Sequence, residues 1–119
     1  MDKLFLARDG NLYLLEIELD GGEIVVSRGI KEKGVIRLDY REGDPARGQP
    51  DTFHITHLAL DNCKRLGIGR ACLLFHQEQY GCPLTAGYAD RGQAEDGSHL
   101  TGDGPGFIAA MRAQGIVLP

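Results

Sequence analysis

"HLALDNCKRLGIGRACLLFHQEQYG", His57 to Gly81, is the stretch on which the reading of this chain turns. An apolar, strand-like run, Leu58-Ala59-Leu60, passes into a loop that carries Lys64 and Arg65. The loop closes at Gly67-Ile68-Gly69 and opens a segment in which Ile68, Ala71, Cys72, Phe75 and Gln79 recur at helical spacing, with Leu74 beside them. Gly81 supplies a C-terminal stop. A helix start leaves backbone N–H groups without intrahelical acceptors, and the macrodipole makes that end attractive to anions. Glycines at 67 and 69 remove the Cβ atoms that would hold a phosphate away, and Lys64, Arg65 and Arg70 surround the turn with positive charge. A pyrophosphate fits such a place. Gly-x-Gly at a helix start also serves plain close packing, so both explanations stay open. A P-loop and a dinucleotide fingerprint are set aside, for there is no Gly-Lys-Ser/Thr and no third glycine.

Upstream, the chain reads as strands. "KLFLA", "LYLLEIEL", "IVVS" and "VIRLDYRE" are separated by "RDGN", "DGGE" and "RGIKEKG", which predicts an antiparallel meander of about four strands. "GDPARGQPD", Gly43 to Asp51, makes a loop. "TFHITHLAL" then alternates Phe53 and Ile55 against His54 and Thr56 before turning apolar, as suits a central strand. Downstream, "PLTAGYA" is a short strand, and 90–106 is a polar, glycine-rich loop. "DGPGFIAAMRAQG" reads as a second helix, with Asp103 as N-cap, Pro105 in the first turn and Gly115 after its end. The class is α+β, one domain over 1–119, with a β-rich half at 1–43 and a strand-helix-strand-helix unit over 52–119.

The 119 residues carry 13 basic and 17 acidic side chains, a formal charge of -4, so neither nucleic acid nor an anionic membrane is an expected partner. No apolar run is long enough to span a bilayer, and "MDKLFLARDG" is charged too early for a signal peptide, which gives a cytoplasmic expectation. Cys63, Cys72 and Cys82 are odd in number and lack CxxC spacing, against both a disulfide framework and a zinc site. His54 and His57 fall on opposite faces of an ideal strand, so no metal is expected.

"HLALDNCKRLGIGRACLLFHQE" resembles the acetyl-coenzyme A binding core of the GCN5-related N-acetyltransferase (GNAT) superfamily, whose signature is Gln/Arg-x-x-Gly-x-Gly/Ala after the fourth strand. Here it reads Lys64-Arg65-Leu66-Gly67-Ile68-Gly69, with Lys64 at the first position and Arg65 beside it. The resemblance covers Phe53 to about Gly115 and continues into "GFIAAMRAQGI". It implies an acyl-CoA N-acyltransferase fold with a central mixed sheet and two principal helices. It further implies that the backbone of Leu58, Ala59 and Leu60 pairs with the pantetheine arm. The N–H groups from Arg65 through Leu66, Gly67, Ile68, Gly69 and Arg70 to Ala71 would receive the pyrophosphate of acetyl-CoA. The implied activity is acetyl transfer to an amine of a small molecule or a protein.

Departures accompany the resemblance. The two early helices of that family are replaced by the β-rich stretch Lys3 to Arg41, which implies an open acceptor side. Acetyl transfer needs a base for the incoming ammonium and a donor for the departing thiolate. The family's strand glutamate corresponds to His54, whose imidazole accepts protons near neutrality. The family's late-helix tyrosine has no counterpart in "GFIAAMR", and Tyr88 is the nearest phenol. A histidine in an ordinary hydrogen bond and a packed tyrosine are the plain alternatives for these two. A non-catalytic coenzyme A binder, or a small interaction protein without cofactor, are the rival functions.

Overall fold

The computed structural model describes residues 1–60, 66–87 and 104–119. Six strands and two helices follow the order β1 (Asp2–Leu6), β2 (Leu12–Ile17), β3 (Glu23–Arg28), β4 (Lys31–Arg41), β5 (Thr52–Ala59), α1 (Ile68–Tyr80), β6 (Leu84–Ala86) and α2 (Gly104–Ala113), with a 3-10 turn at Pro45–Arg47 before β5. The strands form one sheet in sequence order. The first five are antiparallel neighbours. β6 runs parallel to β5, and α1 is the crossover that a parallel pair requires. The class is therefore α+β, with a mixed sheet, as the order of elements predicts.

Period-two patterning sends one set of side chains to a common face. Leu15, Ile24, Val26, Ile36, Leu38, Ile55 and Leu84 are all buried there, and Ile68, Cys72, Leu73 and Phe75 of α1 join the same cluster. Ile108 and Met111 of α2 complete it, with Ile116 and Val117 after the helix. The C-terminal segment also guards the outer side of β6, where Val117 bridges Leu84 and the Leu118 N–H donates to the Leu84 carbonyl at 2.9 Å. On the other face of the β1–β2 hairpin, Leu4, Leu6 and Leu12 stand exposed.

Several expectations shift in detail. β4 begins at Lys31, so most of the stretch expected as a loop, "RGIKEKG", belongs to the strand; Arg28 pairs directly with Lys31, leaving Gly29 and Ile30 as the turn. In α1 the deeply buried positions are Ile68, Cys72, Leu73, Phe75 and His76, so the core stripe is rotated from the expected one. Ala71 and Leu74 are partly buried on its flank. The expected cap Asp103 lies outside the described residues.

α1 is fastened at its C-terminal end. His76 donates from Nε2 to the Gly21 carbonyl at 3.0 Å, and the Tyr80 hydroxyl reaches the carbonyls of Glu18 and Leu19. Gly21 has φ 76°, and a Cβ there would lie 2.9 Å from the Phe53 ring, so only glycine lets the β2–β3 turn approach this closely. Phe53 in turn packs edge-on against His76 and Tyr40.

Candidate functional site

The strand before the helix is irregular where the motif begins. Between β4 and β5 the register shifts, with Leu38 opposite Ile55 and Arg37 opposite His57, so Thr56 is an extra residue, a β-bulge. The bulge inverts the side-chain alternation. Phe53 and Ile55 face the core before it, whereas Leu58, paired with the buried Ile36, takes the core side after it. His57 pairs with Arg37 and His54 with Asp39, so the two histidines share the face opposite the core. The ideal-strand expectation of opposite faces is thus corrected, the cause being one inserted residue. No group of three or more candidate metal ligands occurs among the described residues.

β5 and β6 pair only from Phe53 to Ile55 against Leu84 to Ala86. Beyond them, no strand among the described residues pairs with the β6-side edge of Thr56 to Ala59. Arg112 of α2 secures the neighbouring end of β6, donating from one Nη to the carbonyls of Ala86 (2.6 Å) and Gly87 (3.1 Å).

The helix start follows from this edge. Gly67 is the N-cap in the left-handed region, φ 79°, and offers no side-chain cap. The first helical hydrogen bond runs from the Ala71 N–H to the Gly67 carbonyl at 3.1 Å. The N–H groups of Ile68, Gly69 and Arg70 lie ahead of it, in the first turn, where the macrodipole is positive. The two glycines have different causes. At Gly67 the backbone conformation demands glycine, and a Cβ would clear its nearest neighbour, Phe5, by 3.8 Å. At Gly69 a Cβ would stand 2.8 Å from the Phe107 ring and 3.2 Å from Leu60, so this glycine admits the second helix. Phe107, noted in the sequence only for the absence of a tyrosine, closes that flank of the helix start.

The opposite flank is open. A cleft of about 430 Å³ separates β1 from the stripe Gly67, Arg70, Ala71 and Leu74 of α1 and is lined largely by apolar atoms, with Lys3, Arg8 and Arg70 among its cationic residues. Lys3 pairs with Glu78 at 3.4 Å, and the Arg70 Nε donates to Gln114 at 2.8 Å. Arg8 makes no ion pair among the described residues, and its Nε lies 3.9 Å from where a Gly67 Cβ would stand. Its backbone N–H donates to the Leu66 carbonyl at 3.3 Å, tying β1 to the helix start. Nothing in the sequence pattern brings Arg8 here, because its partners Leu66 and Gly67 lie far along the chain, beyond the whole meander.

His54 is buried, 8% exposed, with Nδ1 2.8 Å from the Thr85 hydroxyl. Burial, reinforced by the Arg41 and Arg112 charges and opposed by Asp39, holds its pKa below the usual imidazole value. The neutral ring is therefore the resting form at neutral pH. It sits one residue before the point where β5 and β6 part. Leu58 and Ala59 thus close β5 and Leu60 follows them, Leu66 and Gly67 precede α1, Ile68, Gly69, Arg70 and Ala71 open it, and His54 lies earlier on β5. Lys64, Arg65, Cys63 and Tyr88 lie outside the described residues. The bulge was legible in principle, since apolar positions change parity from Phe53 and Ile55 to Leu58 and Leu60.

No helix among the described residues is long and apolar enough to cross a membrane. No protein-family model, no curated protein and no solved structure matches this chain.

Proposed function

We propose that the protein is an N-acetyltransferase of GNAT-like fold that moves an acetyl group from acetyl-CoA to an amine of a small molecule or protein. The observation that carries this reading is the conjunction of a β5 edge with which no strand among the described residues pairs, and a Cβ-free turn at Gly67 that no side chain among them caps. Acetyl-CoA supplies an activated acyl carbon and a thiolate leaving group. The edge of Thr56 to Ala59 offers main-chain hydrogen bonds to an extended amide-bearing arm, and Leu60 continues that path. The N–H groups of Ile68, Gly69 and Arg70 offer donors to a diphosphate. His54, neutral at the bench of the split, accepts the proton that an ammonium must lose before its nitrogen can attack. The amine nitrogen then bonds to the acyl carbon as the carbon–sulfur bond breaks, and the thiolate takes up a proton.

The test is amine-dependent release of the coenzyme A thiol across a panel of polyamines, amino sugars and lysine peptides. His54→Gln is expected to lower kcat about 100-fold with the affinity for acetyl-CoA retained. In the wild type kcat should rise with pH through a midpoint below the usual histidine value, because deprotonation creates the base. Full activity in His54→Gln would remove that residue from the chemistry.

The Gly69–Phe107 contact favours a second reading. It supplies a packing reason for one glycine of the motif and puts a ring without a hydroxyl where a phenol is expected. A coenzyme A binder that does not turn over, or an interaction protein without cofactor, accommodates it. Coenzyme A binding without turnover selects the former, and no binding selects the latter.

A further inference from the structure

We infer that the cleft between β1 and α1 takes the nucleotide end of coenzyme A, the adenosine 3′-phosphate, with the purine against Phe5 and the 3′-phosphate at Arg8. The inference rests on the acetyl-CoA reading of the α1 start. A ligand whose diphosphate lies on the first turn has two ways to continue. On one flank Phe107 and Leu60 approach Gly69 so closely that a Cβ would not fit. On the other, the cleft opens directly beside Gly67. Its volume of about 430 Å³ lies within the usual range of small-molecule sites, roughly 300–1,000 Å³.

The lining suits that end of the molecule. Phe5, Leu66 and Leu74 provide an apolar wall, and Phe5 is partly buried against the core, so its ring is held in place for a planar base. The cations are unequal. Lys3 is paired to Glu78, and Arg70 is turned to Gln114, whereas Arg8 has no ion pair among the described residues. An exposed arginine held next to the positive end of a helix is electrostatically unfavourable until an anion arrives. A phosphate there gains both the guanidinium and the dipole. In a chain with formal charge -4, this local positive site also gives an anionic ligand its point of entry.

The test is calorimetric titration of the full chain with coenzyme A, dephospho-coenzyme A, which lacks only the 3′-phosphate, and adenosine 3′,5′-bisphosphate. The wild type should bind coenzyme A roughly tenfold more tightly than the dephospho form, the scale of one charge-assisted hydrogen bond. In Arg8→Glu that difference should vanish, and adenosine 3′,5′-bisphosphate should bind at least about tenfold more weakly. Lys31→Glu, the same charge change on the exposed start of β4, should leave all three affinities unchanged. Equal affinity for coenzyme A and its dephospho form, or Arg8→Glu binding like wild type, overturns the assignment. Binding with the expected 3′-phosphate dependence but no amine acetylated leaves the cleft assignment standing and removes the transferase reading. No binding of any of the three removes both.

Discussion

The two ends of α1 are built on opposite principles. At the C-terminal end, His76 and Tyr80 bond the carbonyls of the β2–β3 turn, Gly81 caps the helix through the Gln77 carbonyl at 2.8 Å, and an aromatic cluster around Phe53 fills the space. At the N-terminal end, the N-cap is a glycine in the left-handed region with no side-chain cap among the described residues, and Lys3, Arg8 and Arg70 line the cleft beside it. One end uses side-chain hydrogen bonds to hold the fold, whereas at the other the first-turn N–H groups have no side-chain cap among the described residues.

The largest effect that would break this comparison is expected from Phe53→Ala. The ring is 3% exposed and touches Tyr40, His76 and Tyr80, so its removal should cost about 3–5 kcal/mol in urea unfolding. A cost under about 1 kcal/mol would mean that the C-terminal end is not the anchor. Gly69→Ala comes next. The added Cβ meets the Phe107 ring at 2.8 Å, so a loss of about 1–3 kcal/mol is expected despite alanine's better helix propensity. A cycle with Phe107→Ala should show positive coupling, since removing the ring removes the clash. Additive effects would return Gly69 to a ligand-binding explanation.

These two predictions also show where sequence reasoning reached and where it stopped. The meander was legible because β-branched and aromatic runs alternate with Asp/Gly turns. The crossover unit was legible because a helical period follows a strand and a Gly turn. The rotation of the α1 stripe was not, since His76 is selected by contact with Gly21 and Phe53, which lie far away in the chain. The bulge at Thr56 left a trace in the parity of Leu58 and Leu60, although one short strand offers few positions from which to read it. Arg8 left none.

A smaller effect separates the ends by pH. The pKa values of His54 and His76 are both lowered by burial, and the His76 Nδ1 has no hydrogen-bond partner among the described residues. As pH falls through about 6.5, the unfolded chain takes up protons that the folded histidines refuse, so stability should fall toward acid. The slope is bounded at about 1.4 kcal/mol per pH unit for each histidine. His76→Leu should be less stable than wild type at pH 7.5 through loss of the Gly21 bond, and the gap should narrow at pH 5. A gap that widens toward acid would reverse the sign and contradict a neutral buried His76. The smallest effect belongs to Tyr80→Phe, which removes an exposed pair of hydrogen bonds and should cost about 1 kcal/mol while leaving ligand binding untouched.

The central claim, that the free end of α1 is a diphosphate site, is tested most directly by calorimetric titration of wild type and Gly67→Glu with acetyl-CoA, with thermal unfolding run alongside. A Cβ at Gly67 has room, so the variant should fold with only the strain of a non-glycine residue at positive φ, about 1–2 kcal/mol. The account predicts saturable binding to the wild type that disappears in the folded variant, because a carboxylate then occupies the positive turn. Wild-type protein that binds no acetyl-CoA, or a variant that binds it equally well, would contradict the account.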